Sequence, residues 1–391
     1  MHKILMSTGA LLVATGLLLC TACTDYVLRA NEVVDRFRQE GRNTVDVLVV
    51  VDNSCSMGEE QGKLGSNFGA FIETFVASDV DYQVGNITTD MMSSTHRGIL
   101  HEGTLWDCLD PAEPDSCTQR LDIDGMPIPT GSRIITRDSA DAADVFLGNT
   151  KVGVTGSGFE MGLEAARFGL CRALDPFDPD DAATIQAHCP QLWDEYEVVG
   201  EADLVFTNRG FLRDEAKLSI IFVSDEDDFS PDPVADYVTA YVGSKGDRAY
   251  RDHDLLNVSA VVGDAPNGCP PGDNPIAYPG YRYLDLAART GGARDSICNE
   301  DFTPIVQDLG LVISGLTNVF PLTRLPRLST LEVEVNEMSG PEPVPVDISQ
   351  FTWVYRDVDN SIVFDPFNVP QPGHEIVFRY EASPSVNGIY E

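Results

Sequence analysis

Val45-Asp46-Val47-Leu48-Val49-Val50-Val51 is a short, almost continuous apolar run rich in β-branched residues, and it passes directly into Asp52-Asn53-Ser54-Cys55-Ser56. A strand with one wet face alternates apolar and polar residues. A run without alternation marks a strand covered on both faces, as in a parallel sheet. Working outward, residues 62–76 place Leu64, Phe68, Phe71, Ile72 and Phe75 at helical spacing, and residues 82–89 read as a second strand. Residues 158–174 read as a helix with Phe159, Leu163, Ala166 and Leu170 along one stripe. Strands at 218–223 and 255–262 and helices at 233–242 and 302–316 complete the pattern. Strands alternating with helices predict an open, mostly parallel α/β sheet with helices on both faces. Ligands of such sheets bind at the carboxyl ends of the strands.

Two stretches interrupt this alternation. Residues 91–133 carry Cys108, Cys117 and an acidic, proline-bearing segment; residues 174–210 follow Cys171, carry Cys189 and include Asp175-Pro176-Phe177-Asp178-Pro179-Asp180-Asp181. Both read as long loops, each pinned by one disulfide. Beyond Phe320, five prolines from Pro321 to Pro345 punctuate the chain. Leu331, Val333 and Val335 alternate with acids, Phe351, Trp353 and Tyr355 alternate again, Asp359-Asn360 marks a turn, and residues 374–380 alternate once more. Residues 319–391 are therefore read as a small antiparallel β module with one buried face, following an α/β domain at 44–318.

The chain has 391 residues, enough for two domains, with 62 acidic and 26 basic residues and a formal net charge of -36. Such a surface repels phosphate backbones, so nucleic acid is excluded as a partner, while divalent cations are attracted. Lys3 precedes an uncharged apolar stretch over residues 4–19, a signal-peptide pattern too short for a comfortable membrane span. Its end, Leu19-Cys20-Thr21-Ala22-Cys23, resembles a bacterial lipoprotein processing site with Cys23 as the lipidated residue. The expectation is a signal peptide over 1–22, a polar tether over 23–43, and a lipid-anchored protein of the bacterial cell envelope, periplasmic or at the surface. Export to an oxidising compartment suits the remaining cysteines. Sequence neighbours suggest Cys108–Cys117, Cys171–Cys189 and Cys269–Cys298, leaving Cys55 over, although spacing alone does not fix connectivity.

Asp52, Ser54 and Ser56 fall where the buried strand meets a helix, a second apolar strand ends in Ser224-Asp225, and residues 155–158 open a helix between them. Three loops at one sheet edge thus offer oxygen donors. In these residues the chain resembles the von Willebrand factor type A family, and in particular bacterial lipoproteins of that family, over residues 44–316. The resemblance implies a Rossmann-like fold and a metal-ion-dependent adhesion site. Asp52, Ser54 and Ser56 match the family's Asp-x-Ser-x-Ser, and Asp225 its later Asp. The loop threonine falls on Ser157 by register or on Thr155 as the nearest threonine. Glu226 stands where the family often has Gly, adding charge near the ion.

All these donors are hard oxygens, which suit Mg2+, with Mn2+ or Ca2+ as substitutes. One direct carboxylate plus hydroxyls leaves the ion's charge uncompensated, so an open position can accept a carboxylate from a protein ligand. The expected function is that of a metal-ion-dependent binding or adhesion protein, with no catalytic base and no enzymatic activity. Two other readings are a metal-assisted hydrolase using Asp225, Asp227 and Asp228, and a structural calcium-loaded envelope protein. The plainer account of Asp52 is a helix cap whose serines satisfy backbone groups. Gly58 to Lys63 imitates a phosphate loop but is one residue short, and Gly156-Ser157-Gly158 with Gly162 imitates a dinucleotide loop with one residue too many.

Overall fold

The computed structural model describes residues 32–39, 44–67, 71, 80–108, 116–246, 255–269, 276–340, 342–365 and 368–383. The chain runs β1 (Glu32–Arg38), β2 (Thr44–Val51), α1 (Gly58–Ser66), β3 (Asp81–Thr88), β4 (Trp106–Cys108), β5 (Cys117–Gln119), β6 (Ile134–Thr136), α2 (Ala142–Thr150) and α3 (Gly162–Cys171). It continues α4 (Pro179–His188), α5 (Pro190–Val199), α6 (Ala202–Val205), β7 (Lys217–Ser224), α7 (Val234–Gly243), β8 (Leu256–Val262), α8 (Tyr281–Thr290), β9 (Arg294–Ser296) and α9 (Thr303–Ser314). Strands β10 (Val319–Pro321), β11 (Glu332–Glu337), β12 (Val344–Val346), β13 (Trp353–Arg356), β14 (Ser361–Phe364) and β15 (His374–Glu381) follow.

The apolar run is the middle of a six-stranded sheet ordered β6-β3-β2-β7-β8-β9. All neighbours pair in parallel except β6, which runs antiparallel to β3 at one edge. The absence of alternation in β2 has a direct cause. Val45, Val47, Val49 and Val51 enter one core with Leu64 of α1 and Ile305, Val306 and Leu309 of α9. Leu48 and Val50 enter the other, with Leu163 and Ala166 of α3, Tyr237 and Tyr241 of α7 and Leu286 of α8. Successive side chains point to opposite faces, and both faces are covered. This is the expected α/β class, a mostly parallel sheet with helices on both sides.

Several element bounds differ from the sequence expectation. Helix α1 starts at Gly58 rather than residue 62, and residues 72–76 of the expected helix lie outside the described residues. The stretch 174–210, read as a loop, carries α4, α5 and α6. Its Asp-Pro-Asp-Asp string is a helix start: the Asp178 carboxylate accepts from the backbone N–H groups of Asp180 and Asp181 at 2.9 and 3.2 Å, with Pro179 in the first turn. Within 91–133, β4 and β5 form a short hairpin. The disulfides are Cys108–Cys117, Cys171–Cys189 and Cys269–Cys298, and Cys55 is a free, exposed thiol. The leader over 1–22 and Cys23 lie outside the described residues.

The expected tether over 23–43 needs correction, because Glu32–Arg38 is a strand. β1 pairs antiparallel with β15 from Glu32↔Glu381 to Arg38↔Glu375. The C-terminal module is likewise two sheets, β1-β15-β11-β12 and β10-β14-β13, closing over Phe320, Phe364, Ile376 and Phe378. The α/β domain is thus inserted in the β module, leaving it after β1 and returning at β10. Gln39 pins both crossings, with Nε2 donating to the Thr317 carbonyl at 2.8 Å and Oε1 accepting from the Thr317 N–H at 3.3 Å. In α9, Ile305, Leu309 and Ile313 pack in the α/β core while Leu311 packs in the module core.

Candidate metal centre

Asp52 is the first residue after β2 and is wholly buried. Its Oδ1 accepts from the Ser54 N–H at 2.7 Å, and its Oδ2 from the Ser224 hydroxyl at 2.7 Å. The turn that follows places the Ser54 and Ser56 hydroxyls 3.1 Å apart, and Gln61 of α1 donates to the Asp52 carbonyl at 2.9 Å. Asp225, the first residue after β7, is buried; its carboxyl lies against those of Asp52 and the Ser56 hydroxyl, yet its Oδ1 is buried without a hydrogen-bond partner. The two strands are neighbours in register, Val51↔Val223, so the sheet itself brings Asp52 and Asp225 together.

Thr155 is exposed, and the Ser157 hydroxyl accepts from the Phe159 N–H at 3.0 Å. The group from this loop that reaches Asp52 is Glu160, which the sequence reading did not single out. Glu160 is wholly buried, accepts a short hydrogen bond from the Thr89 hydroxyl, and leaves Oε1 buried without a partner. Burial and the neighbouring Asp52 carboxylate push its carboxyl up to about 9. Burial, with Asp52 beside it, pushes Asp225 up to about 6. Burial likewise raises Asp52 above the ordinary carboxylate range. Glu60 of α1, buried with both oxygens unpartnered, is raised by burial and, less, by the Glu59 and Asp225 carboxylates. Asp52 therefore lies against two other acids, although among the described residues no group of three or more His, Cys, Asp or Glu side chains is already arranged to hold a metal ion. Buried carboxyls in mutual contact, with orphaned oxygens and hydroxyls beside them, are a donor set that fits a hard dication.

Asp227 and Asp228 do not join this group. Asp228 accepts from Leu163 N–H at 3.0 Å and the Ser230 hydroxyl at 2.7 Å, and pairs with Arg282 Nε at 2.9 Å. Ser230 Oγ accepts from Glu164 N–H at 2.9 Å. Helix α3 has no side-chain cap of its own at Met161, so the Asp225 loop caps it from outside. Asp227 Oδ1 accepts from the Arg282 and Asp228 N–H groups.

Exposed apolar side chains flank the site. Phe159 and Phe229 are 64% and 53% exposed and meet edge to face, with ring centroids 6.0 Å apart. Tyr278, whose N–H donates to the Asp225 carbonyl at 2.7 Å, is also exposed, as is Met92. A cleft of about 430 Å³, lined by Thr88, His96, His101, Glu102 and Arg133 among others, opens beside it; His96 Nδ1 lies 3.4 Å from Asn53 Nδ2.

No protein-family model matches the sequence, and no curated protein matches it. Among solved structures, the chain is similar to the pilus adhesin SpaC from Lactobacillus rhamnosus GG in its open conformation, with a TM-score of 0.33 and 10% identity over 92% of this chain and 42% of that one. It is similar to the pilus adhesin RrgA from Streptococcus pneumoniae, with a TM-score of 0.26 and 9% identity over 90% and 59% of the two chains. It is also similar to the ArnB paralog VWA2 from Sulfolobus acidocaldarius, with a TM-score of 0.27 and 10% identity over 90% and 61%. The chain spans about two fifths of the SpaC chain.

Proposed function

We propose that this chain is an extracytoplasmic binding protein that captures a protein ligand through a divalent cation, Mg2+ with Mn2+ or Ca2+ as substitutes, held by Asp52, Ser54, Ser56 and Asp225. One observation carries the reading. Two strand ends bring the buried carboxyls of Asp52 and Asp225 into contact, with the Ser54 and Ser56 hydroxyls beside them and Asp225 Oδ1 unpartnered. Without positive charge, such an arrangement costs both desolvation and repulsion; a dication replaces the repulsion by attraction, which offsets the desolvation. The ion, when bound, supplies that charge and an open coordination position. The chain's own residues do the rest. Ser224 and the Ser54 N–H fix the Asp52 carboxylate, and Gln61 clamps the turn that carries the serines.

A polypeptide ligand suits the surroundings. Exposed aromatic side chains at Phe159, Phe229 and Tyr278 provide contact area of the kind that dominates protein interfaces. A carboxylate on the ligand would complete the ion, which explains how so acidic a protein could hold an acidic partner. We read the protein as non-enzymatic, since Asp227 and Asp228 are engaged with Arg282 and the α3 N-terminus. Three disulfides favour an oxidising compartment, and lipidation at Cys23 would tether the chain to the envelope membrane. The test is capture from solubilised native envelope by wild type and Asp52→Ala, with Mg2+ or EDTA. The reading predicts a protein retained by wild type in Mg2+ and lost in the other three arms. Retention that ignores both EDTA and the substitution would reject it.

A further inference from the structure

Glu160 is fixed from three sides. Its side chain accepts from Thr89 at the end of β3, its carbonyl accepts from Phe229 N–H at 2.7 Å in the Asp225 loop, and the next residue, Met161, donates to the Thr89 carbonyl at 3.2 Å. The buried acids that stabilise the fold are treated differently. Asp46 accepts from Arg213 Nε and N–H at 2.7 Å each, and Asp228 has Arg282 and several other donors. Glu160 has one hydroxyl donor, another acid against it, and an orphaned oxygen. A buried carboxyl so placed lacks a partner of opposite charge.

We propose that Glu160 is the fifth residue of the metal centre. It supplies a carboxylate where the loop hydroxyl of Ser157 or Thr155 was expected, and it competes internally for the position that a ligand's carboxylate would take. The inference rests on reading the Asp52 site as a cation site. With Asp52, Asp225 and Glu160 ionised, three negative charges meet two positive ones. The centre then holds its ion firmly but disfavours a further carboxylate. Without Glu160 the charges balance, and an incoming carboxylate is accepted more readily. Partner binding is thereby set against an acid built into the site, and the ion's affinity and the ligand's affinity are pulled in opposite directions.

The experiment uses Mn2+ as the probe on the full chain, with wild type, Glu160→Gln, Glu160→Asp and Asp52→Ala. Free Mn2+ is followed by electron paramagnetic resonance, bound Mn2+ by water-proton relaxivity with added acetate, and the metal-free forms by thermal melting in EDTA. Glu160→Gln is expected to weaken Mn2+ about 10- to 100-fold, to raise the relaxivity of the bound ion as water enters the vacated position, to let acetate lower that relaxivity at smaller concentrations than in wild type, and to melt higher than wild type in EDTA. Glu160→Asp, which keeps the charge one methylene further back, should weaken Mn2+ less, and serves if the Gln variant does not fold. Equal Mn2+ affinity and relaxivity in wild type and both Glu160 variants would overturn the proposal while leaving the cation site standing. Failure of wild type itself to bind Mn2+ would overturn the cation site, and this inference with it.

Discussion

Replacing Arg282 by Ala should destabilise the α/β domain far more than the loss of an ordinary surface ion pair. Arg282 Nε lies 2.9 Å from Asp228 Oδ2, and Nη2 donates to the Ser230 and Asp232 carbonyls at 3.1 and 2.7 Å. The Asp228 side chain is 0% exposed against 28% for Arg282, so the substitution strands a fully buried carboxylate. Stranding one member of a buried pair costs about 3–5 kcal/mol. Asp228 keeps its hydrogen bonds to Leu163 N–H and Ser230, and the positive end of α3 favours its charge by about 0.3–1 kcal/mol, which places the cost near the lower bound. For a domain of this size 3 kcal/mol corresponds to roughly 6–12 °C of melting temperature. The control is Arg289→Ala. Its partner Asp285 lies at 3.0 Å, but the two side chains are 50% and 45% exposed, and such pairs contribute about 0–1 kcal/mol. Thermal melts of both variants decide the matter. Equal shifts for Arg282→Ala and Arg289→Ala would refute the view that the Asp225 loop is anchored by a buried charge.

Asp295, partly buried with Oδ2 unpartnered, is pushed up to about 6 by burial and by the Asp308 carboxylate. Its folded value lies above the unfolded one, so its charge burdens the fold increasingly as pH rises from about 4 to 6 and fully above that. Asp295→Asn should therefore gain about 1–2 kcal/mol at pH 7.5, allowing for solvent screening, and nothing at pH 4; urea titrations at the two pH values check this, and a gain independent of pH would count against it. Replacing both Phe159 and Phe229 by Ser should leave Mg2+ binding within about twofold but weaken capture of the envelope ligand by about 2 kcal/mol or more; unchanged capture would remove the apolar rim from the interface. Removing Cys171 and Cys189 together should cost about 3 kcal/mol, since the bridge closes a loop of 18 residues; a melting temperature unchanged from wild type would show the bridge to be dispensable.

What could be read from sequence follows from how local each signal is. The β2 run and its Asp52 turn were legible because continuous burial writes itself into consecutive residues, and strand order then carries Asp52 to Asp225. Helix α4 was legible in principle: Asp178-Pro179 is a cap and a first-turn proline, but the acidic run resembles a loop. β1 was missed because its partner, β15, stands at the far end of the chain, and nothing near residue 32 announces the pairing. Glu160 was missed for a related reason. Its surroundings come from Thr89 and Asp52, which only the folded sheet brings to it. Asp227 and Asp228 looked like chemistry because four acids, Asp225 to Asp228, follow one another; their geometry shows a helix cap and a guanidinium partner instead.

The most direct test of the cation site is a calorimetric Mg2+ titration of wild type and Asp52→Ala, with thermal melting alongside. The Asp52 side chain is wholly buried and takes no part in strand pairing, and its N–H, which donates to the Val223 carbonyl at 3.0 Å, is kept in Ala, so the variant should fold. Wild type is expected to bind one Mg2+ and to melt higher in its presence, and Asp52→Ala to lose both the heat of binding and the metal-dependent shift. Equal Mg2+ affinity in two folded proteins would contradict the account.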